Sequence, residues 1–147
     1  MIILWNKLVK KMMLKKTHNL YATKYNQVNQ VIRFGNFGIK VVSFGKLTKL
    51  QLNSLERSLL NFFKKITGNK KNFKFWNLIL FNLTLTKLSS ESRMGKGKGS
   101  IYTEAVFFKP GVMIFEFEGF SDRQILKILY FVKRKVSFKV CLVKKFN

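Results

Sequence analysis

The run Arg93-Met94-Gly95-Lys96-Gly97-Lys98-Gly99 is the stretch of this chain best suited to do chemistry. Alternating glycine and lysine yields a backbone that can come close to a phosphate, amide donors that nothing covers, and ammonium groups on flexible stems. A loop of that kind suits a folded RNA backbone. On composition alone, a solvated basic loop with no partner describes it equally well. It is no nucleotide-binding P-loop, because no Gly-Lys-Ser/Thr follows a four-residue gap after a first glycine.

Other side chains capable of chemistry are few. The acids are Glu56, Glu91, Glu104, Glu116, Glu118 and Asp122, and only Glu116 and Glu118 stand close together. At i, i+2 in a strand they share a face, which could pair two carboxylates for acid/base work; the favoured reading is a solvated strand face neutralised by nearby Lys or Arg. Cys141, the lone cysteine, sits between Val140 and Leu142 and reads as a small hydrophobe in a buried strand. His18 has no second His or Cys at ligand spacing, so zinc is excluded and no cofactor is expected. An enzyme finds no support.

Charge supplies the frame. The 147 residues contain 29 Lys plus Arg and 6 Asp plus Glu, a formal net charge of +23. With 47% hydrophobic residues and 16 Phe, the chain has the material for a core, unlike a disordered cationic tail. A folded domain so charged repels itself unless a polyanion surrounds it. Nucleic acid is the first candidate and an anionic membrane surface the second. The longest uncharged run, Phe75 to Thr86, is too short for a spanning helix and contains Asn77 and Asn82, so no membrane insertion is expected.

The elements that must position the loop follow from periodicity and capping. Residues 1–30 read as a basic N-terminal extension and tail, with Lys15, Lys16 and Lys24 among its cations and no acid before Glu56. Within it, residues 2–14 have the spacing of a short amphipathic helix, readable as a membrane-surface anchor or a targeting peptide; beyond Met13 an extended tail threading into RNA is favoured. The domain proper is expected over 31–147. Val31 to Gly45, which includes Arg33 and Lys40, reads as strands with a tight turn or bulge at Gly35-Asn36-Phe37-Gly38. Thr48 with Gln51 is a capping box, and Leu52, Leu55, Leu59, Phe62 or Phe63, and Ile66 give the apolar face of a helix that stops at Gly68. Its other face carries Lys49, Arg57, Lys64 and Lys65. Phe73 to Leu85 reads as one long strand, Lys87 to Ser100 as a loop, and Ile101 to Phe108 and Val112 to Glu118 as strands joined at Lys109-Pro110-Gly111. Ser121 with Gln124 caps a second helix, Asp122 to about Lys135, expected to bury Ile125, Leu126, Ile128, Leu129 and Val132. Val136 to Val143 closes the chain as a strand. Two helices and several strands without strict alternation predict an α+β sandwich.

Glu91 to Gly99, followed by Lys109-Pro110-Gly111 and Phe115-Glu116-Phe117-Glu118-Gly119, closely resembles the signature of the bacterial-type large-subunit ribosomal protein sixteen family. Phe34-Gly35-Asn36-Phe37-Gly38-Ile39-Lys40 is similar to that family's Phe-Gly-x-aromatic-Gly-Leu-x segment, and Leu47-Thr48-x-x-Gln51 with Glu56-Arg57 stands where its first long helix begins. The resemblance spans about Leu14 to Lys144 in the same order. Three features depart from it. Phe81 to Thr84 replaces a Pro-Asp-Lys-Pro stretch and predicts a more regular strand; Val136-Ser137 replaces a Leu-Pro; and Asn19, Tyr21, Tyr25 and Asn26 dilute the basic tail. Met1 to Met13 reads as an extension.

The resemblance implies a hammerhead-type α/β sandwich, two helices packed on mixed or antiparallel strands, in the large ribosomal subunit. There it implies contact with large-subunit ribosomal RNA near the aminoacyl-tRNA site and the peptidyl transferase region, with aminoacyl-site tRNA and neighbouring ribosomal proteins as further partners. Carried over residue by residue, Arg93, Lys96 and Lys98 with Gly95, Gly97 and Gly99 form the loop contact. Lys15, Lys16, His18 and Lys24 belong to the tail, and Arg33, Lys40, Lys46 and Arg57 to the domain. The rival reading is a free-standing RNA-binding or ribosome assembly factor. Richness in Phe, Lys, Asn and Ile resembles products of A+T-rich organellar genes, placing the mitochondrion first and a plastid or bacterial cytoplasm behind.

Overall fold

Both described helices start as their capping boxes dictate. In the computed structural model, which describes residues 16–18, 30–68, 72–95 and 97–145, the Thr48 hydroxyl accepts the Gln51 N–H while the Gln51 side chain accepts the Thr48 N–H, opening α1 (Lys49–Thr67). Gly68 ends it in the left-handed conformation, φ 59°. Ser121 and Gln124 repeat the arrangement at the start of α2 (Asp122–Lys135). Each box satisfies backbone donors that the first helical turn leaves orphaned.

Seven strands are described: β1 (Phe37–Val41), β2 (Gly45–Thr48), β3 (Lys74–Asn77), β4 (Leu83–Lys87), β5 (Ser100–Phe108), β6 (Met113–Glu118) and β7 (Val140–Lys144). They form two sheets with antiparallel pairings throughout, a four-stranded one in the order β3-β6-β1-β7 and a three-stranded one in the order β2-β5-β4. With the two helices packed on them, this is the α+β architecture expected from the element pattern. Strand β6 is central and its residues Met113 to Phe117 are all buried.

Phenylalanine fills the space between helices and sheet. Phe63 of α1 meets Phe73, Phe75 and Phe117 edge-on at 5.4, 5.6 and 5.9 Å and lies 5.2 Å from Phe120. Such offset and edge-to-face geometry is the arrangement that aromatic quadrupoles prefer. The stacked rings of Phe62 and Phe131, 4.5 Å apart, join α1 to α2. From α1 the core takes Leu52, Leu55, Leu59 and Phe63, and from α2 Ile125, Ile128 and Val132. Leu55 is buried among these, so Leu55→Ala is expected to cost about 2–5 kcal/mol in urea denaturation.

The structure corrects several boundaries. Phe73 to Leu85 is two strands in different sheets: the Asn77 side chain accepts the Ile79 N–H at 2.9 Å, and the chain leaves the ladder until Leu83. Alternation reads the same on either side of such a crossing, so the sequence conceals it. The more regular strand expected at Phe81 to Thr84 accordingly begins only at Leu83. Gly35 to Gly38 is not a hairpin turn: residues 31–36 bend across the larger sheet, Gly38 lies inside β1, and the chain changes sheets at 42–44. A register shift does occur nearby, between Ile39 and Lys40. The last strand starts at Val140, because Val136 ends α2 and Phe138 turns inward against Phe108 at 5.3 Å. Leu126, expected inside, is 58% exposed, and Cys141 is only half-buried in β7. The expected helix over 2–14 lies outside the described residues.

Candidate nucleic-acid interface

Strands β4 and β5 form a hairpin whose connection, residues 88–99, is the glycine-lysine loop; Lys87 pairs with Ser100 at its neck. A β-carbon on Gly99 would fall 2.3 Å from the Lys87 carbonyl oxygen, so only glycine closes this neck. Gly95 and Gly97 both have φ +86°, and a β-carbon on either would meet nothing within 4 Å. They are required for backbone direction instead, at values that other residues rarely adopt. On the way into the loop the Ser92 N–H donates to Ser89 O at 3.1 Å and the two serine hydroxyls meet at 2.7 Å. Arg93 and Lys98 are exposed, as is the whole of Met94.

Residues 16–18 dock on this hairpin. Strand β4 is an outer strand of its sheet, so backbone groups facing away from β5 would lack partners. The Thr17 side chain supplies them: its hydroxyl accepts the Thr84 N–H at 2.9 Å and donates to Thr84 O at 3.1 Å, while the Thr17 N–H donates to the Thr84 hydroxyl at 3.3 Å. Two lysines then lock the segment to the loop. Lys98 Nζ donates to Thr17 O at 2.5 Å, and Lys16 Nζ donates to Lys98 O at 3.0 Å. Thr17, His18, Thr84, Leu85, Thr86 and Lys98 surround a cleft of about 270 Å³. Lys16 and His18 thus stand in one place with Lys98, which is 82 positions from Lys16 in sequence.

The remaining cations spread outward. On the same sheet, Lys46 of β2 lies 6.0 Å from the Phe107 ring and Lys87 lies 5.6 Å from the Tyr102 ring. Lys40 lies in β1 of the larger sheet, opposite Met113 and Cys141, and is half-buried. Arg33 is in the segment crossing that sheet, and Arg57 is on the outer face of α1. These three do not join the loop. Lys15, Lys24 and Lys96 lie outside the described residues. Sequence reasoning missed Lys87, Tyr102 and the Thr17–Thr84 contact, and it passed over the outward cations of α2, Arg123, Lys127, Lys133 and Arg134. The helical period of α2 could have revealed the last group. Nothing local reveals the threonine pair.

Most acids are paired with lysine or withdrawn from solvent, while Glu91 stays exposed within the loop. Lys49 pairs with Glu104 at 2.6 Å, Lys74 with Glu118 at 3.3 Å and Lys144 with Asp122 at 3.0 Å. Glu116, expected on a solvated face, is instead fully buried. Its carboxylate accepts the N–H groups of Arg33 at 3.1 Å, Phe34 at 2.6 Å and Gly35 at 2.9 Å. The 31–36 segment lies over this face of the sheet and shuts out the water expected there. The Glu56 carboxyl is pushed above its ordinary value by burial, an effect that a hydrogen bond from Asn77 partly opposes. The folded chain therefore holds this proton more tightly than the unfolded chain does, so its contribution to stability falls as pH rises from the ordinary carboxylate range through the raised value. Glu56→Gln is expected to flatten that part of the stability profile, read as urea midpoints across acidic pH.

Among the described residues no group of His, Cys, Asp or Glu is placed to hold a metal ion. No described helix is long and apolar enough to cross a membrane. The arrangement can present fixed cations, an exposed glycine backbone and exposed rings, which is binding chemistry. Residues 9–143 match the family model described as ribosomal protein L16p/L10e. The large ribosomal subunit protein uL16m of Chondrus crispus is 50% identical over 127 residues, covering 86% of this chain and 92% of the relative. The uL16 protein of Psychrobacter cryohalolentis is 29% identical over 131 residues (89% and 91%), and that of Leptospira biflexa 32% over 117 residues (78% and 79%).

Proposed function

The chain belongs to the ribosomal protein L16p/L10e family, a structural constituent of the large ribosomal subunit and not an enzyme, and we propose from that premise that it grips large-subunit ribosomal RNA through its glycine-lysine loop and helps position aminoacyl-site tRNA. The likeness to a uL16m protein over most of both chains places it in the mitochondrion. Ribosomal RNA and neighbouring ribosomal proteins are its partners.

The observation that carries the finer reading is the mutual lock of Lys16, Thr17 and Lys98 on β4. A mobile basic loop would lose much conformational entropy on meeting RNA. Here the base of the loop and the start of the tail are already tied, so Lys16, His18 and Lys98 meet a phosphate backbone as a preset group. Arg93 and the exposed glycines Gly95 and Gly97 extend it along the same connection. Lys46 and Lys87, held against aromatic rings, continue the basic surface across the smaller sheet. Each neutralised phosphate releases counterions, so binding weakens steeply with salt. Catalysis belongs to the RNA; the chain holds the RNA and tRNA in register.

Sedimentation and cross-linking test this reading. The chain should travel with the large subunit through moderate salt, and a photoreactive group at Lys98 should cross-link to large-subunit RNA near the aminoacyl-tRNA site. Recovery only in the soluble pool would defeat the reading; recovery only with immature particles would favour an assembly factor.

A further inference from the structure

Segment 33–36 is unusually well anchored for an irregular stretch. Three of its successive N–H groups bind the sealed carboxylate of Glu116, and the fourth, of Asn36, donates to Phe117 O at 3.0 Å. Fixed backbone there fixes the directions in which the side chains leave the chain. Yet Phe34 is 54% exposed, an outlay of apolar surface that the fold itself does not use. Its ring stacks on Trp76 with centroids 6.0 Å apart and planes 24° from parallel. Trp76 stands opposite Glu116 in the β3–β6 register, so it shares the face that the segment crosses. One side of the Phe34 ring thus rests on a strand tryptophan while much of the ring meets solvent.

Charge decides what such a ring should meet. The cations on this side are Arg33, Lys40, Lys74 and Lys145, the last held beside the segment because its N–H donates to Asn36 O at 2.9 Å. The acids are Glu116, sealed by amides, and Glu118, paired with Lys74. An outward aromatic ring on a positively charged, backbone-pinned support fits the flat face of an unpaired nucleobase, with cations beside it for the flanking phosphates.

We propose that Phe34, backed by Trp76, is a stacking platform for one unpaired nucleobase of large-subunit ribosomal RNA. This rests on the RNA-binding reading above but uses a different sheet from the glycine-lysine loop. Trp76 supports the ring from below, and Glu116 acts as a positioning residue through the backbone of Arg33, Phe34 and Gly35.

The test uses large subunits assembled with Phe34→Tyr, Phe34→Leu or Phe34→Ala, probed by 2′-hydroxyl acylation of the RNA. Stacking predicts that one or a few nucleotides rise about tenfold in reactivity with Ala and with Leu, while Tyr preserves protection. Equal protection by Leu and Phe would overturn the platform, since Leu supplies apolar cover without a stacking face. No change in any nucleotide, or cross-linking of a photoreactive residue 34 to protein alone, would overturn it too. Lys98→Gln subunits run in parallel separate the two readings. If they alter other nucleotides while the Phe34 set alters none, the platform fails and the loop stands; if neither set changes the RNA, both fail.

Discussion

Replacing Glu116 by alanine is expected to destabilise the chain by about 3–5 kcal/mol, at the upper end of what a single substitution does. The carboxylate is wholly out of solvent and bonded to three backbone donors, which are charge-assisted contacts of more than average strength. Alanine would leave a cavity in β6 and deprive those amides of their acceptor, the Gly35 N–H in a buried position. The neighbouring geometry offers little escape. Gly35 already lies so close to β6 that a β-carbon on it would be 2.5 Å from Phe117 O. Urea denaturation with an unchanged slope would show the loss as a shift in midpoint. Glu116→Gln is the informative companion, because it keeps one carbonyl acceptor and should recover part of the difference. A loss of under about 0.5 kcal/mol for alanine, the size expected of a surface change, would show that the segment is held by something else.

Neutralising the loop should do the reverse, leaving global stability nearly unchanged and weakening the binding. Arg93→Gln with Lys98→Gln alters two exposed side chains, so stability should stay within about 0.5 kcal/mol. If both cations meet phosphates, the slope of log affinity for large-subunit RNA against log salt should fall by about 2, roughly one for each phosphate no longer neutralised. Filter binding or sedimentation at several salt concentrations reads this directly. Lys98 carries a further burden, since its ammonium holds Thr17 O at 2.5 Å. The Lys98 single variant should therefore loosen residues 16–18, seen as faster amide exchange at Thr84, whereas the Arg93 single variant should not. An unchanged salt slope would place the RNA elsewhere.

The contrast between these experiments mirrors the difference between local and remote interactions in the chain. Thr48 and Gln51, or Ser121 and Gln124, interact with each other three residues apart, and their capping boxes are legible in the sequence for that reason. The core positions of α1 follow from the helical period, which is also local. Leu126 escapes that reading because the period defines a stripe but not its width: Ile125, Ile128 and Val132 already fill the contact with the sheet and α1, and Leu126 falls just beyond it. Glu116 defeats the alternation rule in a different way, whereas Glu118 meets Lys74 on a partly exposed face as expected. Both lie on the same face, but a remote segment covers Glu116.

By itself, then, the sequence narrowed the partner to a polyanion, through a charge of +23 on a Phe-rich chain. It also determined the two helices and their ends, the glycine-lysine connection and the family resemblance, all carried by composition or by residues close along the chain. The tertiary structure alone decided that Phe73 to Leu85 divides between two sheets, that Glu116 is sealed beneath Arg33 to Gly35, and that Lys16, His18 and Lys98 stand together. The physical reason is separation. Thr17 reaches Thr84 across 67 positions and Lys98 reaches Thr17 across 81, and no periodicity records which distant backbone groups the fold will leave unpartnered and near enough to bind.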